Sequence, residues 1–261
     1  MSSVRAKKRL GQHFLKDEDI AAKIASTLEH STEKALEIGP GMGSLTKYLL
    51  KDWGENLWVS EVDNESVEYL KTYYPELKPN IIYGDFLQLD LESNFGNEKI
   101  SVIGNFPYNI SSQILFKALD HKDMIVQIVG MFQKEVAKRI CSPAGNRDYG
   151  ILSVLIQAYY ETEYLFDVPP ESFIPPPAVN SGVIKLLRKS NSSLGCDELL
   201  FKKVVKTAFN QRRKKLSNAL SGLIEGHKIR TDIGHKRAEQ LSWQDFVDLT
   251  NAIADNNHNQ V

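Results

Sequence analysis

The chain has only two cysteines in 261 residues, Cys141 and Cys196, far apart and with no CxxC or Cys/His ligand spacing. That argues against a structural zinc site and leaves two free thiols in a reducing cytoplasm as the expectation. No apolar run approaches about 18 residues, so no membrane span is expected. The N-terminus is charged and lacks the apolar segment of a secretory signal. Net charge is close to absent, −1 from 32 Lys and Arg against 33 Asp and Glu, so the bulk balance says nothing about a polyanion partner. A Walker A loop, a Ser-His-Asp series and paired metal carboxylates are all missing. The six histidines, His13, His30, His121, His227, His235 and His258, are scattered; none is assigned as a general base, and no metal is expected. There is no internal repeat, and nothing demands more than a monomer.

What is present is a globular composition, 42% hydrophobic and 25% charged, with enough apolar material for a real core. Charge is uneven along it. Residues 1–16 carry Arg5, Lys7, Lys8, Arg9 and Lys16 with no acid, and residues 201–224 carry Lys202, Lys203, Lys206, Arg212, Arg213, Lys214 and Lys215, again with no acid. A neutral protein with two basic blocks can still offer a polyanion a positive surface. Apolar periodicity predicts strands at Lys34 to Ile38, Asn56 to Val62, Ile81 to Tyr83, Ile100 to Gly104, Met124 to Phe132, Tyr160 to Val168 and Gly182 to Leu187. Helices alternate with most of them, including Asn64 to about Tyr73 and Tyr149 to Tyr159, which predicts an α/β fold with a largely parallel sheet. A Ser/Asn/Gly-rich stretch from Lys189 to Asp197 reads as a linker, and helices alone follow: Glu198 to Asn210, Leu216 to Leu223, Lys236 to Leu241 and Trp243 to Ala254. The expected division is therefore 1–190, with a basic arm over 1–16, and 191–261.

The most informative residues are Asn105-Phe106-Pro107-Tyr108, at the end of the fourth of these strands, where open α/β sheets bind ligands. An amide, a carbonyl beside a rigid proline and an aromatic ring suit a flat base with an exocyclic amine. The Asn105 oxygen and the Phe106 carbonyl can accept both amine hydrogens while Tyr108 stacks. An arylamine lone pair is delocalised and a poor nucleophile, so acceptors placed for a more tetrahedral nitrogen favour attack. A plain strand-to-helix turn is the competing reading.

Upstream strand ends fit the first reading. Gly39-Pro40-Gly41-Met42-Gly43 turns tightly after the first strand and lets a ligand approach the backbone. Glu61 ends the second strand, where an acid can bind both ribose hydroxyls. Asp85 follows the third, placed to accept from an adenine amine, with Phe86 flanking the ring. Glu61 or Asp85 alone reads better as a helix N-cap; the ordered series favours a nucleoside pocket.

This series resembles the class I S-adenosylmethionine-dependent methyltransferases, with a Rossmann-like sheet. Leu10-Gly11-Gln12-His13-Phe14-Leu15, the run Val168 to Ser181 (VPPESFIPPPAVNS) and the run Phe209 to Leu220 (FNQRRKKLSNAL) narrow it. The chain resembles the ribosomal RNA adenine dimethyltransferase family, specifically its bacterial small-subunit branch, from about Lys7 to Leu249. The resemblance implies S-adenosylmethionine as cofactor, held by His13, Leu15, Gly39, Gly41, Glu61, Asp85, Phe86 and Asn105. It implies dimethylation at N6 of two adjacent adenosines in a hairpin loop near the 3′ end of 16S rRNA, within the small ribosomal subunit and late in its assembly. Two departures stand out: Phe106 where the family often has Leu, and Ser60 where a hydrophobic residue is common.

The proline-rich run fixes φ over a short span and can present Phe173 at a set height. Composition alone places Phe173 in the core. The resemblance places it across from Tyr108, as the second ring of a base clamp. Lys7, Lys8, Arg9, Arg212, Arg213 and Lys214 are the candidate phosphate contacts, giving affinity without reading sequence. Rival readings are a large-subunit RNA methyltransferase of the macrolide-resistance type, a DNA adenine methyltransferase and a non-catalytic assembly factor. The Phe209 to Leu220 block argues against the first and the intact Asn-Phe-Pro-Tyr element against the last.

Overall fold

The structure, a computed structural model, describes residues 4–190, 193–224 and 231–258; Asn191 and Ser192 of the expected linker, and Met1 to Ser3 of the arm, lie outside them. Strands are β1 (Phe14–Leu15), β2 (Lys34–Ile38), β3 (Leu57–Glu61), β4 (Ile81–Tyr83), β5 (Ile100–Asn105), β6 (Ile125–Gln133), β7 (Tyr160–Val168), β8 (Phe173–Ile174) and β9 (Ser181–Arg188). Helices are α1 (Glu18–Ala25), α2 (Thr46–Trp53), α3 (Asn64–Tyr73), α4 (Leu91–Phe95), α5 (Ser111–Asp120), α6 (Lys134–Cys141), α7 (Ile151–Tyr159), α8 (Glu198–Asn210), α9 (Leu216–Ala219), α10 (Thr231–Gly234) and α11 (Trp243–His258). Two units emerge, Met1–Ala137 with Thr162–Arg188, and Lys138–Glu161 with Lys189–Val261. The chain thus crosses between units three times, where the sequence suggests a single cut at 190, and α7 belongs with the C-terminal helices.

In the first unit seven strands form one sheet, in the order β4-β3-β2-β5-β6-β9-β7, and β1 pairs with β8 in a separate two-stranded ribbon. From β4 to β6 the pairing is parallel, whereas β9 runs antiparallel to β6. Strands covered on both faces read as continuous apolar runs, and β6 is buried at every position from Gln127 to Phe132. The chain leaves β2 on one side to build β3 and β4, then returns to place β5 on the other side. That reversal opens a crevice at the C-terminal ends of β2 and β5, the place where such sheets bind ligands.

Aspartates start several helices by accepting a backbone N–H: Asp17 from Ile20, Asp63 from Glu65, Asp90 from Ser93 and Asp197 from Leu200. In the second unit, the rings of Tyr149, Phe209 and Phe246 meet at tilted angles in its core, with centroid separations of 6.2 and 5.9 Å. At the start of α11, Ser242 Oγ accepts from the Asp245 N–H, while Asp245 accepts from the Ser242 N–H. Two expected helices are shorter than predicted. The segment from Leu216 is helical only to Ala219, and Lys236 to Leu241 holds a single 3-10 turn, Ala238–Gln240. Both are too short to recover the cost of nucleating a helix and are shaped by packing instead.

Candidate cofactor and target-base site

The strand ends and the N-terminal arm enclose one cavity. Its wall includes Gly39, Gly41, Glu61, Asp85, Phe86, Asn105, Phe106, Pro107 and Tyr108, together with His13 and Leu15 from the arm. Every residue expected at the cofactor site lines it, as do the four residues of the Asn-Phe-Pro-Tyr element. Gly39 takes φ +67°, and the space its Cβ would occupy has no atom within 4 Å. Gly41 has φ +56°, and a Cβ there would sit 2.8 Å from the Phe14 ring. The first glycine leaves the floor open and the second lets the arm come down on it.

Glu61 is buried, at 3% exposure. One carboxylate oxygen accepts from Gly41 N–H at 3.0 Å, the other from Val62 and Asp63 N–H, each at 2.8 Å. Desolvation raises its pKa, and the three backbone donors oppose that shift. The cap of α3 is Asp63, not Glu61, so the N-cap alternative fails for Glu61. It holds for Asp85, which accepts from Leu87 N–H at 2.9 Å and starts a 3-10 turn. Lys117 of α5 fastens that loop: its ammonium donates to the carbonyls of Leu87 and Leu89 and sits 5.1 Å from the Phe86 ring centre.

The amide of Asn105 is oriented by the arm. Its Nδ2 donates to the His13 carbonyl at 2.8 Å, which leaves Oδ1 as the free acceptor. Phe106 does more than lend a carbonyl. Its ring is 1% exposed and meets Phe132 edge-on at 5.2 Å. A Cβ on Gly104 or Gly130, paired neighbours on β5 and β6, would lie 2.8 or 2.3 Å from that ring. Two glycines thus form the slot that anchors the loop. Tyr108 is held at both ends, its hydroxyl 2.5 Å from Ser181 Oγ and its ring stacked on His13 at 5.6 Å. His13 Nδ1 donates to the Pro175 carbonyl at 2.8 Å.

Three of the expected site residues have partners or positions that the sequence does not announce. Phe173 is 1% exposed and packs in the core with Leu15, Met131, Val168 and Val183. It does not line the cavity, so it is not presented opposite Tyr108; pairing of Leu15 with Phe173 turns the ring inward. Lys7 is paired with Asp63 and, at 3.1 Å, with Glu65. Arg212 donates to the Arg147 carbonyl at 2.6 Å and lies 3.5 Å from Glu239, so it ties the second unit together. Lys8, Arg9, Arg213 and Lys214 are exposed. Gln12, Phe14 and Ser44 also line the cavity; the first two lie in the Leu10 to Leu15 run, while no local pattern marks Ser44.

Glu37, also in the wall, is 1% exposed and accepts from Thr46 Oγ1 at 2.7 Å. Burial pushes its pKa up to about 8, the Thr46 bond opposes this, and Glu61 adds to it. Its ordinary value is 4.5, so between these limits the folded chain holds a proton that the unfolded chain has lost. Stability is then fully present below about pH 4.5 and falls as pH rises toward 8. Glu37→Gln should match the native protein near pH 5 and exceed it increasingly toward pH 8 in ligand-free melting curves. A pH-independent difference would refute this.

Among the described residues no group of three or more His, Cys, Asp or Glu is placed to hold a metal ion, and no helix is long and apolar enough to cross a membrane. Residues 3–255 match the family model described as ribosomal RNA adenine dimethylase. Two relatives, each called ribosomal RNA small subunit methyltransferase A, come from Flavobacterium johnsoniae and Cytophaga hutchinsonii. The first is 57% identical, covering 97% of this chain and 97% of its own. The second is 53% identical, covering 97% and 99%. A solved dimethyladenosine transferase from Plasmodium falciparum superposes with a TM-score of 0.79 at 25% identity, over 94% of this chain and 98% of its own. The structure of the 23S rRNA methyltransferase ErmE shares the fold, with TM-score 0.66 at 24% identity, over 91% and 99%.

Proposed function

Since the chain belongs to the ribosomal RNA adenine dimethylase family, we propose that it methylates small-subunit ribosomal RNA. The product is N6,N6-dimethyladenosine at two adjacent adenosines, in a hairpin loop near the 3′ end of 16S rRNA, and the methyl donor is S-adenosylmethionine. The observation that carries this reading is the Asn105 amide, fixed through its nitrogen so that its oxygen remains to accept.

The cavity suits the proposed donor. Above Gly39 there is an open cradle that any side chain would fill. Glu61 and Asp85 offer acceptors for sugar hydroxyls and an exocyclic amine, and Phe86 a flat apolar wall. When bound, S-adenosylmethionine supplies an electrophilic methyl on a sulfonium centre.

The chain's own groups do the rest. Asn105 Oδ1 and the Phe106 carbonyl accept the two N6 hydrogens and hold the nitrogen lone pair out of the ring plane. Tyr108, braced by Ser181 and His13, supports the flipped base on one face. No side-chain base is needed: the methylated nitrogen loses its proton to water. The exposed Lys8, Arg9, Arg213 and Lys214 contribute phosphate contacts, so that RNA shape selects the substrate.

Labelled methyl transfer tests the reading, with unmethylated small subunits, large subunits and duplex DNA offered in parallel. Label confined to small subunits and recovered as dimethyladenosine is the expected result. Label on large subunits or DNA would move the chain to a different substrate. Failure on all three, with S-adenosylhomocysteine still bound, would leave a binding factor.

A further inference from the structure

We infer that Asp63, Lys7 and Gln12 form a latch that sets the orientation of the Asn105 amide, so these three are positioning residues for methyl transfer. The inference rests on the reading of Asn105 as the group that orients the amine.

The starting point is the His13 carbonyl. An amide can present either its oxygen or its nitrogen to a given side, and rotation about the last side-chain bond exchanges them. Presenting the nitrogen to an incoming amine would set donor against donor. The Asn105 Nδ2 bond to His13 O, 2.8 Å long, selects the productive orientation. That carbonyl belongs to the arm and not to the sheet, so its position depends on what holds the arm.

On the C-terminal side of His13 the arm is held by main-chain pairing of Phe14 and Leu15 with Ile174 and Phe173. Ser44 Oγ adds a bond to the Leu15 carbonyl at 2.6 Å. On the N-terminal side the fastening is of a different kind. One carboxylate oxygen of Asp63 accepts from the Lys7 ammonium and the other from Gln12 Nε2 at 3.3 Å, while Gln12 Oε1 accepts from the Lys7 N–H at 2.9 Å. Three side chains close a ring that folds residues 7–12 back on themselves. Asp63 can serve as the fixed point because it is 3% exposed and is itself held at the start of α3 by Glu65 N–H at 3.2 Å. Partial burial and charge make its bonds to Lys7 stronger than neutral ones. The pairing holds the Asp63 pKa below its ordinary value against a desolvation that would raise it, and raises that of Lys7. The basic arm therefore docks on an acid of its own unit before meeting any RNA.

The experiment compares the native enzyme with Lys7→Met, Lys7→Arg and Asp63→Asn. Asparagine is chosen because it retains helix-capping ability while removing the charge. Measured quantities are the single-turnover rate at saturating cofactor and subunits, the salt dependence of subunit binding, the melting temperature, and the NMR signal of the Asn105 side-chain amide, identified by its loss in Asn105→Asp. The expected result is a rate about 10- to 100-fold lower for Lys7→Met and Asp63→Asn, as for a small misplacement of a reacting group. Lys7→Arg should recover most of it. The double variant should be no slower than either single one, because both cut the same contact. The Asn105 amide proton signal should shift and exchange faster in the slow variants, without cofactor or substrate present. A Lys7→Met enzyme with full maximal rate but weaker subunit binding and a salt slope reduced by about one would make Lys7 a phosphate contact and overturn the latch. An unchanged Asn105 signal in Lys7→Met would overturn it also. If instead the native enzyme transfers no methyl to any subunit, the proposed function fails, and the amide signal still decides whether the latch orients Asn105.

Discussion

Asn105→Ala should transfer methyl groups about 100- to 1000-fold more slowly than the native enzyme in a single turnover, the range seen when one preorganised polar group is removed from an active site. The fold should survive, since Asn105 lies at the very end of β5 and the ladder to β2 and β6 is made by main chain. Cofactor affinity should fall far less than the rate, because Glu61, Asp85 and the cradle at Gly39 remain. The lost interaction is one that strengthens as the amine nitrogen becomes tetrahedral, so the effect belongs in the chemical step and not in binding. Single-turnover rates at saturating substrate, with S-adenosylhomocysteine titrated separately, measure the two parts. A variant that keeps the native rate would remove Asn105 from the mechanism.

Phe173→Ala should destabilise the protein by about 3–5 kcal/mol, the usual range for emptying a fully buried phenylalanine site. For a chain of this size that is a fall in melting temperature of roughly 6–20 °C. The reason is position: Phe173 is 1% exposed, in a core that also contains Leu15 and Val183. Phe173→Leu, which refills most of the volume, should melt much closer to the native protein and methylate subunits at close to the native rate. A base clamp makes the opposite demand, with Leu as damaging to activity as Ala and neither affecting stability much. Thermal melts and methyl-transfer rates on the same three proteins separate the cases.

The contrast between these two residues shows what was legible in the sequence. Asn105, Glu61 and Asp85 could be placed because each ends or closely follows a strand whose apolar run announces its own end, and the α/β alternation sends all those ends to one edge of the sheet. Helix α8 and strand β7 were legible to the residue and α3 to within its last residues, since each carries its own periodicity. Phe173 was not, because prolines fix φ without saying which way the next ring points; that is decided by pairing with Leu15, remote in sequence. Charge shows the same limit. The arm has no acid of its own, yet Lys7 is neutralised by Asp63, and Arg212 lies by Glu239. Counter-ions supplied by distant segments leave no local trace. The slot for Phe106 also needs two glycines on separate strands, and neither is informative alone.

The two-residue pairing of β1 with β8 bears on how the enzyme is made. Synthesis delivers the arm first and its partner strand much later, after the sheet from β2 to β6 has already been made. Through most of translation Phe14 and Leu15 have no strand to pair with, and the His13 carbonyl that steers Asn105 lacks the fastening that β8 gives it on its C-terminal side. Contacts between such distant segments form late. The nascent chain is therefore built with its reactive end unfinished, and closing the roof over the cavity is among the last steps before the protein can work.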